Sequence, residues 1–294
     1  MLDEIRRMGF EYAELSHGIK LSLVEGIQAA LKENEIKITS LHNFCPLPLG
    51  VMHAAPNIYL LSSTDEAERE RAIKQTLKTI EFAGQCQARA IVMHLGRVPM
   101  LWGSFEPEWL NYTERLLKRV RGKQEMLARY ERLRFRAITA REKKKGPYWK
   151  QVLKSLDKLV EHARQASVKL GIENRLLLEE IPNEAEFREI FERYDPNVVG
   201  YWHDVGHAHV RELLGVCTQE QMLELAGDRL LGIHIHDVGF VDEDHRPPSF
   251  GEVMFDRLRP YVRPDTIKVF EFSPKWRTED VNQGIRYLRE LWTA

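Results

Sequence analysis

The chain has 294 residues, of which 43% are apolar, 9% aromatic and 30% charged, with a net charge of −1. That mixture excludes a disordered, collagenous or coiled-coil chain as a whole, and the charge balance leaves no overall nucleic-acid footprint. No apolar run approaches the roughly 20 residues of a membrane helix. The opening MLDEIRRMGF lacks an apolar signal core, and Cys45, Cys86 and Cys217 lie far apart with no CxxC pair. Both features point to a reducing cytoplasm and away from a disulfide framework or a thiolate zinc site.

The predicted elements alternate. Residues 2–8 read as a helix closed by Gly9, Tyr12–Leu15 as a strand, 22–33 as a helix and Lys37–His42 as a second strand. A helix pattern over 65–85 leads into the strand Ala90–Leu95. The one clear composition shift follows. Residues 115–145 hold thirteen Lys/Arg and three Glu, a net of +10, so the rest of the chain totals −11. This block reads as an amphipathic basic helix pair within an insertion over about residues 98–147. Its simplest role is a solvated lid or an oligomer contact. A site for a phosphorylated or carboxylated substrate ranks second and nucleic acid last. Beyond it come a helix over 148–167, the strand Lys169–Glu173, a helix over 183–193 and the strand Val198–Asp204. A helix over 218–226, the strand Leu231–His236, a helix over 252–262, the strand Thr266–Phe272 and a helix over 278–291 complete the chain.

Such spacing argues for repeated βα units and a parallel sheet in one domain, 1–294. The runs AIVMHL, LLGIHI and IKVFEF are apolar almost throughout, as strands buried on both faces should be. Seven strands are counted and the chain opens on a helix. A (β/α)₈ TIM barrel read from this sequence therefore lacks its first strand or is truncated there, and an open edge beside Tyr12–Leu15 needs cover.

Polar residues concentrate where the chemistry of such a barrel belongs. Apolar strands end in His42, His94, Glu173, Asp204, His234 and Glu271, and burying such groups without partners costs several kcal/mol. Ten of the eleven histidines lie at or just after predicted strands, and only His162 falls inside a helix. The C-terminal strand ends form the active-site face of barrels. Glu173 in GIENR, Asp204 in WHDVGH, His234 in IHIHD and Glu271 in FEFSP stand out as ligands of one divalent ion. Three carboxylates and one imidazole make a hard, oxygen-rich site suited to Mn²⁺, Mg²⁺ or Co²⁺, with Zn²⁺ also accommodated. The bland alternative is a set of buried salt bridges to Arg175 and Lys275. Trp102, Phe105 and Trp109 suit either a sugar-stacking wall or core packing, and Glu14 reads as structural.

The motifs GFEYAELSHG, IVMHLG, GIENR, WHDVGHAH, LGIHIHDV, DHRPPSFGEV and KVFEFSP, in this order, resemble the xylose isomerase-like TIM barrels, the superfamily of sugar phosphate isomerases/epimerases and AP endonuclease family 2. The resemblance spans nearly the whole chain and implies a divalent metal at the barrel mouth. It matches Glu173, Asp204, His234 and Glu271 to the family's ligands, with His234 preferred over His236 because His234 and Asp237 fit the family's His-x-x-Asp. It also places His207 and His245, with Arg246 beside it, at substrate-binding or second-metal positions; His42 and His94 complete the substrate-binding set. Two activities follow. Isomerases and epimerases of small sugars, sugar acids or polyols use the two glutamates, here Glu173 and Glu271, as acid and base. Endonuclease IV-like members use three zinc ions on phosphoesters. For the latter this chain offers His42, His94, Asp244 and His245, but the family's Asp-x-His pair is here adjacent, with Asp242 as the next candidate. The sugar-directed enzyme is the primary expectation; a phosphoester hydrolase and a non-catalytic metal- or sugar-binding barrel are the alternatives. The expected partner is a small carbohydrate, without membrane or nucleic acid; homo-oligomerisation is left open, with the basic insertion as a candidate contact.

Overall fold

The structure, a computed structural model, describes residues 2–100, 124–239 and 244–293. Trp102, Phe105, Trp109, Asp242 and the first part of the basic block lie outside the described residues. The strands are β1 (Tyr12–Leu15), β2 (Lys37–His42), β3 (Ala90–Met93), β4 (Gly96–Arg97), β5 (Lys169–Glu173), β6 (Glu180–Ile181), β7 (Val199–Asp204), β8 (Leu230–Ile235) and β9 (Ile267–Phe270). The helices are α1 (Leu2–Arg7), α2 (Val24–Lys32), α3 (Glu66–Gln85), α4 (Gln124–Gln165), α5 (Glu184–Arg193), α6 (Val205–Leu213), α7 (Gln219–Ala226) and α8 (Thr278–Thr293).

Seven strands pair in the order β1-β2-β3-β5-β7-β8-β9, every pair parallel. They curl into a nearly closed α/β barrel with the helices around it. The two short strands β4 and β6 pair antiparallel as a separate ribbon. All seven strands read from the sequence are present, because their apolar runs have no stable place except between two covered faces. Among the described residues no ladder joins β1 to β9. The seam is bridged by side chains: Phe10 meets Phe270 edge-on at 6.0 Å, and Arg289 of α8 lies 5.2 Å over Phe10.

Three local readings are corrected. The basic block is not a helix pair where it is described. Residues 124–165 form one helix that runs through Pro147. Anchors on both sides of the proline tie it to α5: Arg141 pairs with Glu186 at both guanidinium nitrogens, and Trp149 Nε1 donates to Glu189 at 2.7 Å. The stretch 252–262 forms two 3₁₀ turns, Phe255–Arg257 and Arg259–Tyr261, because Pro260 has no N–H for a helical ladder. Helix α6, unforeseen, starts directly from the end of β7, where the Asp204 side chain caps it by accepting from His207 N at 2.7 Å. All three cysteines are free, and no described helix is long and apolar enough to cross a membrane.

The barrel interior is filled, not hollow. Trp202 is fully buried and packs with Ala90, Val92 and Ile267. Room for its indole depends on two glycines: a Cβ at Gly171 would lie 2.9 Å from the ring and one at Gly232 2.3 Å. Gly232→Ala is therefore expected to cost about 1–3 kcal/mol by overpacking. Denaturant unfolding checks this, and an unchanged midpoint would show that Trp202 yields freely.

Candidate metal centre

Strand alternation puts every second side chain on the interior face. Gly171 and Glu173 share that face on β5, Trp202 and Asp204 on β7, and Gly232 and His234 on β8. The last interior position of each strand thus opens into one mouth, where Glu271, just past β9, joins it through its N–H to Ile235 O.

His234 is the hub. Its Nε2 lies 3.0 Å from Glu14 Oε1, and Glu14 in turn accepts from Ser40 Oγ at 2.6 Å. The carboxylate fixes an N–H at Nε2. Nδ1 then faces three carboxylates: Glu271 Oε2 at 3.2 Å, Glu173 Oε1 at 3.5 Å and Asp204 Oδ2 at 3.7 Å. This Nδ1 is buried without a hydrogen-bond partner. A buried, unpartnered ring nitrogen surrounded by anionic oxygens is a position that a cation satisfies. Burial opposes charge on His234, yet Glu14, Glu271 and Asp204 outweigh it and hold its pKa well above the ordinary histidine value. The donor set fits a hard divalent ion.

Asp204 is braced from several sides. Asn174 accepts from Asp204 N at 2.7 Å and donates to its carbonyl at 3.0 Å. His236 Nδ1 accepts from His245 N at 3.0 Å, so its Nε2 carries the proton donated to Asp204 at 3.1 Å. His236 is therefore a brace of the carboxylate, while His234 is the histidine turned toward the ligand cluster. His203 hydrogen-bonds with Tyr201 and Gln219, away from the cluster.

Glu173 divides its two oxygens. Oε1 lies 3.5 Å from both His207 Nδ1 and His234 Nδ1. Oε2 lies 2.6 Å from His94 Nε2, 3.0 Å from Arg175 Nη1 and 3.6 Å from His42 Nε2. Burial pushes the Glu173 carboxyl up, but Arg175 and His94 hold it well below the usual carboxylate range. The salt-bridge alternative is thus realised at one oxygen only. Three donor groups result, His42/His94/Glu173, Glu173/Asp204/His207 and Asp204/His234/Glu271, each with its donor atoms within 4.8 Å of one another.

The remaining expected residues divide. His245 stacks on His236 at 4.3 Å and brings Nε2 to 3.8 Å from Glu271 Oε1, which places it at the edge of the cluster. Arg246 turns its guanidinium to the Phe250 carbonyl at 2.8 Å and over the Trp276 ring. Two residues outside the expected set also touch the cluster. Glu14 orients His234 from 220 positions away, a link that no local pattern carries. His17, two residues past β1, packs edge-on against His42 at 4.6 Å.

Known proteins share this fold. A family described as xylose isomerase-like TIM barrel matches residues 2–291. The chain superposes on 3-keto-D-glucoside 4-epimerase from E. coli with a TM-score of 0.65, 18% identity, and 98% and 92% of the two chains covered. It superposes on D-psicose 3-epimerase from Clostridium cellulolyticum H10 with a TM-score of 0.64, 13% identity, and 99% and 92% covered. An uncharacterised protein of Sinorhizobium fredii is 31% identical over 103 residues, which span 35% of this chain and 29% of that relative.

Proposed function

Because the chain belongs to the xylose isomerase-like TIM barrel family, we propose that it is a divalent-metal-dependent isomerase or epimerase of a small sugar, sugar acid or polyol. The reaction is proton transfer at a carbon next to a carbonyl. One observation carries this reading: the unpartnered Nδ1 of His234 faces Glu173, Asp204 and Glu271, with the two glutamates contributed by separate strand ends. Glu173, Asp204, His234 and Glu271 would hold one Mn²⁺, Mg²⁺, Co²⁺ or Zn²⁺. When bound, the ion polarises the substrate carbonyl and lowers the cost of the negative charge that develops on it.

The protein's own groups handle the proton. Glu173 and Glu271 flank the reacting carbon, so that one removes the proton and the other returns it from the opposite side. Their environments differ. Glu173 is buried and kept ionised by Arg175, whereas the Glu271 side chain is 31% exposed. Solvent thus has access to the Glu271 carboxyl, which suits it to exchange its proton with water. His42, His94, His207 and His245 orient substrate oxygens around this pair; Arg246 supports them by ordering the loop that carries His245.

A second reading, phosphoester hydrolysis by a multi-zinc centre, draws on the two further donor groups around Glu173. Against it stands Arg175, whose Nη1 lies 2.7 Å from His94 Nε2 and 3.0 Å from Glu173 Oε2. That guanidinium is a fixed cation where an additional ion would have to compete. Elemental analysis of purified protein decides between the readings. About one divalent ion per chain, lost in Asp204→Ala, is the expected result. Two to three zincs would favour the hydrolase, and no metal even after soaking with Mn²⁺ or Zn²⁺ would sink both.

A further inference from the structure

The opposite, N-terminal mouth of the barrel holds a second cavity of about 490 Å³. Gly200 and Leu231 line it, Leu231 also packing against the cluster that holds Trp202, and none of its lining residues belongs to the metal centre. Its volume falls within the roughly 300–1,000 Å³ typical of small-molecule sites. Its wall contains five cationic and three carboxylate side chains, a surplus of two positive charges in a chain whose net charge is −1.

The cations come from five separate segments that converge on this mouth. Arg89 precedes β3, Arg164 ends α4, Lys169 opens β5, Arg229 precedes β8 and Arg263 precedes β9. Two of them are tied to carboxylates: Arg164 to Asp195 at 3.4 Å and Arg263 to Asp265 at 3.3 Å. Arg229 has no carboxylate partner among the described residues and donates to the backbone carbonyls of Phe191, Tyr194 and Val199. Its charge is therefore held in place without being neutralised. Among the described residues the Arg89 guanidinium makes one hydrogen bond, to the Asp265 carbonyl at 3.2 Å, which leaves most of its planar donor set open. Lys169 lies on the interior face of β5, at the other end from Glu173, and has no ion-pair partner among the described residues.

We propose that this mouth binds the phosphoryl dianion of a small molecule, with Arg89 and Lys169 as the contacting residues and Arg229 supplying fixed positive charge. An open guanidinium fork and an ammonium at the starts of two neighbouring strands match phosphate oxygens in chemistry and charge. The cavity is large enough to take a phosphate ester as well as the free ion. This inference stands on the N-terminal mouth alone and does not depend on the activity assigned to the metal centre.

Calorimetric titration of the intact protein at constant ionic strength tests it, with inorganic phosphate and glucose 6-phosphate as probes and glucose and sodium chloride as controls. Saturable 1:1 binding of at least one phosphate probe is expected. It should weaken at least tenfold in Arg89→Ala and in Lys169→Met, each confirmed as folded by circular dichroism. Tighter binding of the ester identifies a phosphorylated metabolite as the ligand class, and equal binding identifies free phosphate. No saturable binding of either probe, or binding that survives both substitutions, overturns the proposal.

Discussion

Glu271→Gln is expected to slow exchange of the substrate α-proton with solvent by about 10²–10⁴-fold, the usual contribution of a positioned acid–base group. The substitution is nearly isosteric. It retains the N–H of residue 271 that bonds to Ile235 O, and it leaves no buried charge unpaired at a side chain that is 31% exposed. What disappears is the carboxylate that accepts the proton, along with one anionic donor 3.2 Å from His234 Nδ1. The corresponding change at Glu173 would be harder to interpret, because it would also break contacts to Arg175 and His94. Incubation of a ketose panel in D₂O, followed by NMR, reads the exchange directly. Full exchange with normal metal content would remove Glu271 from the proton path.

Gly206→Ala is expected to weaken metal binding by about 10–100-fold, the range seen when the partner that orients a ligand is lost. Gly206 sits in the first turn of α6, where alanine by itself would favour the helix by about 1 kcal/mol. Packing reverses that preference. The added Cβ would lie 1.9 Å from His236 Cε1 and 2.5 Å from its Nδ1, so the ring must leave. Asp204 then loses its Nε2–H donor, and His245 N loses its acceptor. Competition with a chromogenic chelator measures the affinity. An unchanged value would show that Asp204 keeps its place without His236.

The strands and most of the cluster were readable from the sequence for one reason. Each strand is an apolar run, and a polar residue closing such a run has to be accounted for. Hence Glu173, Asp204, His234 and Glu271 could be named, and the structure brings them together. Readings failed where a residue has two duties or a distant partner. Asp204 was read as a ligand and also caps a helix, so α6 went unseen behind it. Glu14 looks like an ordinary position in YAEL until β8 closes on it with His234. The basic block reads as solvated by composition, yet Tyr130 and Arg141 within it are buried. Charge density along the sequence does not reveal that Arg141 has Glu186 on α5 as its partner.

Helix α6 also joins two regions that seem unrelated. Its front end is capped by Asp204, and at its back end the Leu214 carbonyl accepts from Tyr130 Oη at 2.7 Å and Arg134 Nη1 at 3.1 Å, both on α4. Nine helical residues span only about 13 Å and have no hinge between them. The helix therefore sets a short, fixed separation between the basic helix at one end and Asp204 at the other. Tyr130 and Arg134, in the described part of the basic segment, are thus tied through a single helix to a residue of the barrel mouth.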